Sequence, residues 1–337
     1  MRVAVLGTGA WGTALAIHLA RVGHQVAWWD HNAARATAMR RDRRNPSHLR
    51  DFELAPNIAP TPDLAAAVGE ADIVVPVVPS HALREVLTRA APDVGPAAAL
   101  AIATKGLEDG SHMTVAEVAA SVCPSAVDRI AVLSGPSFAL EVARGLPTAV
   151  VAAGLAPTTQ RVAAAFHGDR FRVYTSEDVV GVCLGGSLKN VMAIAAGVAD
   201  GLGLGHNAIA GIITRGLAET GRLATARGGQ SALTLMGLAG LGDLVLTCTG
   251  HLSRNRRVGV ALGQGRPLSA ILEELGEVAE GVGTARNAVA LAETSGVELP
   301  ITEQVHAMLD RGRPPMIALA ALLGRERRAE RDVPTEG

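Results

Sequence analysis

Short apolar runs alternate with segments of helical period through the first half of the chain. The runs predict strands at residues 2–6, 25–29, 73–78, 100–103, 130–133 and 149–152. They are nearly continuous in apolar residues, as expected of strands covered on both faces. Between them, residues 10–22 and 81–90 carry apolar side chains at helical spacing, the second segment following Pro79-Ser80, where Ser80 is the expected N-cap. Alternation of this kind builds a parallel sheet flanked by helices. Beyond about Ser176 the strand pattern stops, and alanine- and leucine-rich helical segments follow, broken by glycine clusters at 201–205, 228–229 and 237–242. The expected fold class is α/β: a Rossmann-like, mostly parallel sheet domain over 1–178, an all-helical domain over 179–326, and a disordered polar tail over 327–337.

The first strand runs into Gly7-Thr8-Gly9-Ala10-Trp11-Gly12, a G-x-G-x-x-G turn that opens a helix. Glycines at that place permit a tight turn, close approach of backbone to a pyrophosphate and close packing of helix on strand, while the helix N-terminus attracts the anion. A turn that merely links strand to helix is the plainer alternative, and it accounts neither for the location nor for Asp30 at the end of the second strand. Asp30 is placed to accept hydrogen bonds from an adenosine ribose, and its charge favours NAD over NADP, with His31 and Arg35 offsetting that preference.

Composition sharpens the picture at one point. Lysine and arginine together number 31, yet Lys105 and Lys189 are the only lysines, and both lie in apolar, glycine-bearing stretches. Arginine keeps its proton at any working pH, whereas a desolvated lysine drops toward neutrality and serves as an acid or base. A coding bias toward arginine explains the shortage of lysine but not these two contexts. The net charge of −1 provides no general field for nucleic acid or an anionic membrane, so an anionic partner must be held by local groups. The Arg40–Arg44 cluster lacks stacking aromatics and is expected to be a solvated helix end. Cys123, Cys183 and Cys248 are widely spaced and odd in number, pointing to reduced thiols in a cytoplasmic protein without a metal site. The opening strand-like run leaves no room for a leader, and no uninterrupted apolar stretch reaches membrane-spanning length, so no membrane insertion is expected.

Eight blocks in order identify a resemblance that covers nearly the whole chain: GTGAWGTAL at 7–15, VPSH at 78–81, ATKGLE at 103–108, SGPSF at 134–138, LKNV at 188–191, ITRGLAE at 213–219, GLAGLGDLVLTCT at 237–249 and SRNRR at 253–257. The chain resembles the bacterial-type NAD(P)-dependent glycerol-3-phosphate dehydrogenases. The resemblance implies reduction of dihydroxyacetone phosphate to sn-glycerol 3-phosphate for glycerophospholipid synthesis, by a cytoplasmic homodimer. Two departures stand out: family members often carry a small residue and then arginine where this chain has Asp30-His31, and serine is common at the place of Ala10.

Carried onto this sequence, the resemblance makes Lys189 the general acid/base. It gives substrate contacts to Lys105, Gly135, Ser137, Lys189, Asn190, Asp243, Thr247, Ser253, Arg254 and Asn255. Cofactor contacts fall to Gly7, Gly9, Ala10, Trp11, Gly12, Asp30, His31, Lys105, Ala139, Arg254, Val278 and Glu280. The residue types suit these tasks, since a guanidinium fork engages two phosphate oxygens at once and hydride transfer to a ketone needs a proton donor at its oxygen. Plainer readings stand beside them: a Gly-Pro turn at 135–136, a helix N-cap at Asp243, a solvated charge run at Arg256-Arg257 and a helix-start histidine at His206. Rival functions are another two-domain dehydrogenase acting on a 3-hydroxy or sugar acid, and a nucleotide-sensing regulator without chemistry.

Overall fold

A computed structural model describes residues 1–276 and 278–326, so the tail expected at 327–337 lies outside the described residues. Eight strands form one sheet: β1 (Arg2–Leu6), β2 (Gln25–Trp29), β3 (Ile58–Thr61), β4 (Ile73–Pro76), β5 (Ala99–Ile102), β6 (Ile130–Ser134), β7 (Thr148–Gly154) and β8 (Phe171–Ser176). Their order is β3-β2-β1-β4-β5-β6-β7-β8. Every neighbouring pair is parallel except β6 and β7. Chain order reverses between β1 and β4, and ligands of such sheets bind beyond the carboxyl ends of the strands at that switch point.

Period-two alternation sorts β1 between two cores. Val3 and Val5 pack with Leu15, Trp28 and Phe166 on one face, while Ala4 and Leu6 pack with Leu83, Leu87 and Ile102 on the other. Burial on both sides is why the strands read as continuous apolar runs. The pattern missed the two edge strands, β3 and β8. Pro60 weakens the strand signal of β3, but an edge position tolerates a missing backbone donor. β8 is half exposed and its Arg172, Tyr174 and Thr175 blur the run.

No strand follows Ser176 among the described residues. Asp178 caps the next helix, Val179–Gly201, by accepting from Gly181 N at 2.8 Å. By length and mean hydropathy this helix could cross a membrane, but Ser187, Lys189 and Asn190 interrupt its apolar run and it is mostly buried inside the protein. Helix Arg254–Gly263 crosses it with backbones almost touching. A Cβ on Gly197 would stand 2.2 Å from Arg256 O, and one on Gly259 would stand 2.1 Å from Ile194 O. Only glycine allows this approach, which carries Asn255 to the side of Asn190.

Two further expectations change. Ser80 starts a short 3₁₀ turn, Ser80–Ala82, ahead of helix Leu83–Ala90, and its hydroxyl donates to Glu280 Oε2 at 2.8 Å instead of capping. The Arg40–Arg44 cluster is only partly solvated: Arg40 donates to Pro60 O, and Arg43 binds the carbonyls of Leu54, Ala55 and Ile58, holding the loop before β3.

Candidate active site

β5 ends at Ile102, and Lys105 follows in the loop beyond its carboxyl end. Thr104 Oγ1 donates to Val78 O at 2.8 Å, and Gly106 N donates to Ser187 Oγ at 3.2 Å. Ser187 lies on helix Val179–Gly201, two residues before Lys189, so one helix fixes both the Lys105 loop and Lys189. The sequence reading passed over Ser187, because nothing local marks a partner 81 residues away.

Asp243 joins the two lysines. Lys189 Nζ donates to Asp243 Oδ1 at 2.5 Å and Lys105 Nζ to Oδ2 at 2.7 Å, with a further Lys105 bond to Gly135 O at 3.1 Å. Asp243 begins helix Asp243–Thr249 after a π-helical turn, Leu238–Gly242. Its carboxylate serves the lysines and caps nothing, which rules out the N-cap alternative. Thr247 Oγ1 donates to Asp243 O at 2.5 Å and lies 3.4 Å from Oδ1, steadying the first turn.

All three side chains are close to fully enclosed, with side-chain exposures of 16% for Lys105, 10% for Lys189 and 1% for Asp243. One carboxylate therefore faces two ammonium groups, and the cluster holds excess positive charge away from water. Burial pulls Lys189 down, Asp243 pushes it back up and Lys105 lowers it again, leaving its pKa at about 8. Burial raises Asp243, but the two lysines outweigh it and its pKa falls below the ordinary value. Cys248, buried nearby, is pushed up to about 12 by burial and stays an inert thiol.

Around this cluster, Asn255 Nδ2 donates to Asn190 Oδ1 at 3.0 Å and Gly281 N donates to Asn255 Oδ1 at 3.0 Å. Ser253 caps helix Arg254–Gly263 by accepting from Arg256 N at 3.2 Å. Arg254 opens that helix, near enough to act on the carboxyl of Glu280. Arg256 is not solvated as expected: its side chain is 13% exposed and donates to Asp200 Oδ2 at 2.8 Å. Ser137 Oγ donates to Gly135 O at 2.9 Å, closing the turn beside Lys105.

Glu280 begins helix Glu280–Thr294 and accepts from Ser80 Oγ and Ser80 N, tying the helical half to the sheet half. Burial raises its pKa against the opposing pull of Ser80, His81 and Arg254. Val278, just before it, is 44% exposed. His206 lies in the first turn of helix Gly205–Ala226.

The Gly7–Gly12 turn fits a dinucleotide. Gly9 caps helix Ala10–Arg21, and a Cβ placed on it would meet no atom within 4 Å, so the approach to the helix N-terminus is open. At Gly12 a Cβ would stand 2.2 Å from Gly7 O, which fixes helix against strand. Trp11 Nε1 is buried with no partner among the described residues, and Ala139 packs at the edge of the sheet core.

Asp30, expected at a ribose, is engaged by groups of the protein itself. Its side chain is fully buried; Oδ1 accepts from Asn32 N and Arg35 Nη2, both at 2.8 Å, while Oδ2 accepts from Thr8 Oγ1 at 2.5 Å and from Arg35 Nε. Burial raises this carboxyl, but the bonds from Arg35, Thr8 and Asn32 outweigh it and lower its pKa. Two bonds per oxygen fill the ordinary capacity of a carboxylate, leaving no lone pair for a hydroxyl.

A dinucleotide-shaped turn at the sheet's switch point, with a buried lysine of lowered pKa brought to the same carboxyl edge by a helical half, defines a dinucleotide-dependent dehydrogenase. Family comparison narrows the class. The NAD-dependent glycerol-3-phosphate dehydrogenase N-terminus matches residues 2–160 and the corresponding C-terminus matches residues 178–320. The chain belongs to the NAD-dependent glycerol-3-phosphate dehydrogenase family.

The Thioalkalivibrio sulfidiphilus glycerol-3-phosphate dehydrogenase [NAD(P)+] is 52% identical over 97% of this chain and 98% of that protein. The Geobacter sulfurreducens protein of the same name is 50% identical over 98% and 99%. Among solved structures, the Coxiella burnetii glycerol-3-phosphate dehydrogenase superposes with a TM-score of 0.91 at 42% identity, covering 96% of this chain and 99% of that one.

Proposed function

We propose that this chain interconverts dihydroxyacetone phosphate and sn-glycerol 3-phosphate with NAD(H) or NADP(H), feeding glycerophospholipid synthesis. The observation that carries the proposal is Lys189, buried at a pKa of about 8 and hydrogen-bonded to a carboxylate that also holds Lys105. Bound nicotinamide supplies or accepts the hydride at the substrate's central carbon. Lys189 gives a proton to the carbonyl oxygen in reduction and takes it back from the alcohol in oxidation. Asp243 holds Lys189 on target, and Lys105 with the Gly135–Ser137 turn grips the substrate.

Arg254 holds the substrate phosphate, helped by Ser253 and Asn255, with Asn190 and Thr247 completing the wall. Gly7, Gly9, Ala10, Trp11, Gly12, Ala139, Val278 and Glu280 embrace the dinucleotide. The division into a nucleotide domain at 1–178 and a helical domain at 179–326, and a cytoplasmic homodimer, follow the family pattern. Mixing the protein with NADH or NADPH and dihydroxyacetone phosphate should bleach the reduced-nicotinamide absorbance. Turnover only with a 3-oxo acid or sugar-acid ketone in place of dihydroxyacetone phosphate would replace this substrate, and no turnover with any of them would favour a sensor.

Two predictions test the roles. Reduction needs Lys189 protonated and oxidation needs it neutral. So kcat/KM for dihydroxyacetone phosphate should fall as pH rises through about 8, and kcat/KM for glycerol 3-phosphate should climb through the same range. Parallel profiles in both directions would remove Lys189 from proton transfer. Arg254→Ala should raise KM for dihydroxyacetone phosphate by roughly 10–100-fold, the weight of a charge-assisted phosphate contact. The same variant should treat unphosphorylated dihydroxyacetone as the wild type does, and an equal loss on both would place the phosphate elsewhere.

A further inference from the structure

The sequence gives Asp30 the position of a ribose-binding acid, yet the structure leaves it nothing to bind a ribose with. Its four acceptor positions are taken by Thr8, Asn32 and both Nε and Nη2 of Arg35. Asn32 also caps helix Ala33–Asp42 by accepting from Arg35 N at 2.9 Å, so Arg35 sits in the first turn of that helix with its backbone and guanidinium both fixed. The result is a planar cation clamped at the end of β2, beside the glycine turn.

We propose that Asp30 is a positioning residue and that Arg35, held by it, is the specificity-determining contact for a 2′-phosphate on the adenosine ribose, so that this chain binds the 2′-phosphorylated dinucleotide in preference to the unphosphorylated one. The geometry supports this in three ways. Asp30 is fully buried, whereas the Arg35 side chain is 28% exposed, so an incoming anion meets the cation before the carboxylate. Arg35 Nη1 makes no hydrogen bond among the described residues, leaving donors on the edge turned away from Asp30. His31, 72% exposed with Nδ1 3.7 Å from Asp30 Oδ1, stands on the same rim as a second nitrogen donor.

A bidentate pair spends two donor sites of a guanidinium that has five N–H groups, and pre-ordering removes the side-chain entropy a phosphate contact would otherwise cost. Asp30 neutralises Arg35 only in part at the distance of the phosphate, because the guanidinium lies between them. Arg35 brings a cation to the end of β2 from the first turn of the following helix, one helical turn beyond His31.

The inference rests on the dinucleotide reading of the Gly7–Gly12 turn, and fragments separate the two. Calorimetric titration of the wild type with 2′,5′-ADP and with 5′-AMP, which differ by the 2′-phosphate alone, should show 2′,5′-ADP binding at least about 10-fold tighter, as expected of charge-assisted phosphate contacts. In Arg35→Gln that ratio should collapse toward one, and Arg35→Lys should recover part of it. A thermal midpoint measured alongside shows that each variant is folded. Equal affinities in the wild type, or tighter 5′-AMP, would overturn the role of Arg35 and return Asp30 to ribose recognition. Failure of both fragments to bind or to compete with NADPH would instead strike the dinucleotide site itself.

Discussion

Lys189→Met is expected to lower kcat in both directions by about 10²–10⁴-fold, the usual contribution of a positioned acid or base, while NADH binds nearly as well as to the wild type. Methionine keeps the unbranched stem, with sulfur in place of the Cδ methylene, and removes the ammonium group. The fold should survive the change, because Asp243 keeps Lys105 as its partner at 2.7 Å and the cluster loses its excess positive charge. An unfolded lysine holds its proton to about 10.5 while Lys189 releases it near about 8, so the unfolded chain binds more protons across that interval. That difference weakens the wild type at neutral pH and fades as pH rises. The methionine variant should therefore show a thermal midpoint at pH 7 no lower than the wild type. Retained turnover would take Lys189 out of the chemistry, and a lowered midpoint would make the loss structural.

The second large effect belongs to Asp243→Asn. With the carboxylate gone, two enclosed ammonium groups face each other without an anion, a situation that typically costs about 3–5 kcal/mol where one partner of a buried pair is removed. Lys189 offers a partial escape. Its pKa already lies near about 8 and falls further once Asp243 no longer favours the charged form, so it discharges at neutral pH.

Two consequences can be read out. The thermal midpoint should drop most at acid pH and recover as pH rises, and the oxidation profile should shift to lower pH as the base becomes neutral sooner. Reduction of dihydroxyacetone phosphate at pH 7 should nearly vanish, since the proton donor is gone. A pH-independent loss of stability with unshifted profiles would mean that Asp243 serves packing and not the lysines.

Much of this was legible along the chain. The run from Arg2 to Leu6 and the glycine turn behind it are local features, fixed by side chains a few residues apart. The two lysines were visible by composition, because rarity needs no partner. Hidden from the sequence were β3 and β8, whose signals are diluted by Pro60 and by the half-exposed surface of an edge strand. Ser80 and Ser187 were missed as tethers, since each acts on a residue far along the chain. Asp30 was legible as a position, but its bonding partners were not. Its location at the strand end is local, whereas its saturation by Thr8 and Arg35 arises only once strand, turn and helix are folded together.

The sequence by itself determined the order of elements, the dinucleotide turn, the change from sheet to helices near Ser176 and the chemical identity of the groups at work. Periodicity and turn chemistry act over a few residues, so one dimension suffices to record them. Only the tertiary structure decided what those groups are in electrical terms. Asp243 stands 138 residues from Lys105 and 54 from Lys189, and their meeting depends on a helix crossing that glycine backbones permit at Gly197 and Gly259. A lysine's acidity is set by the water it has lost and the charges it has gained, and neither exists until the chain has closed around it.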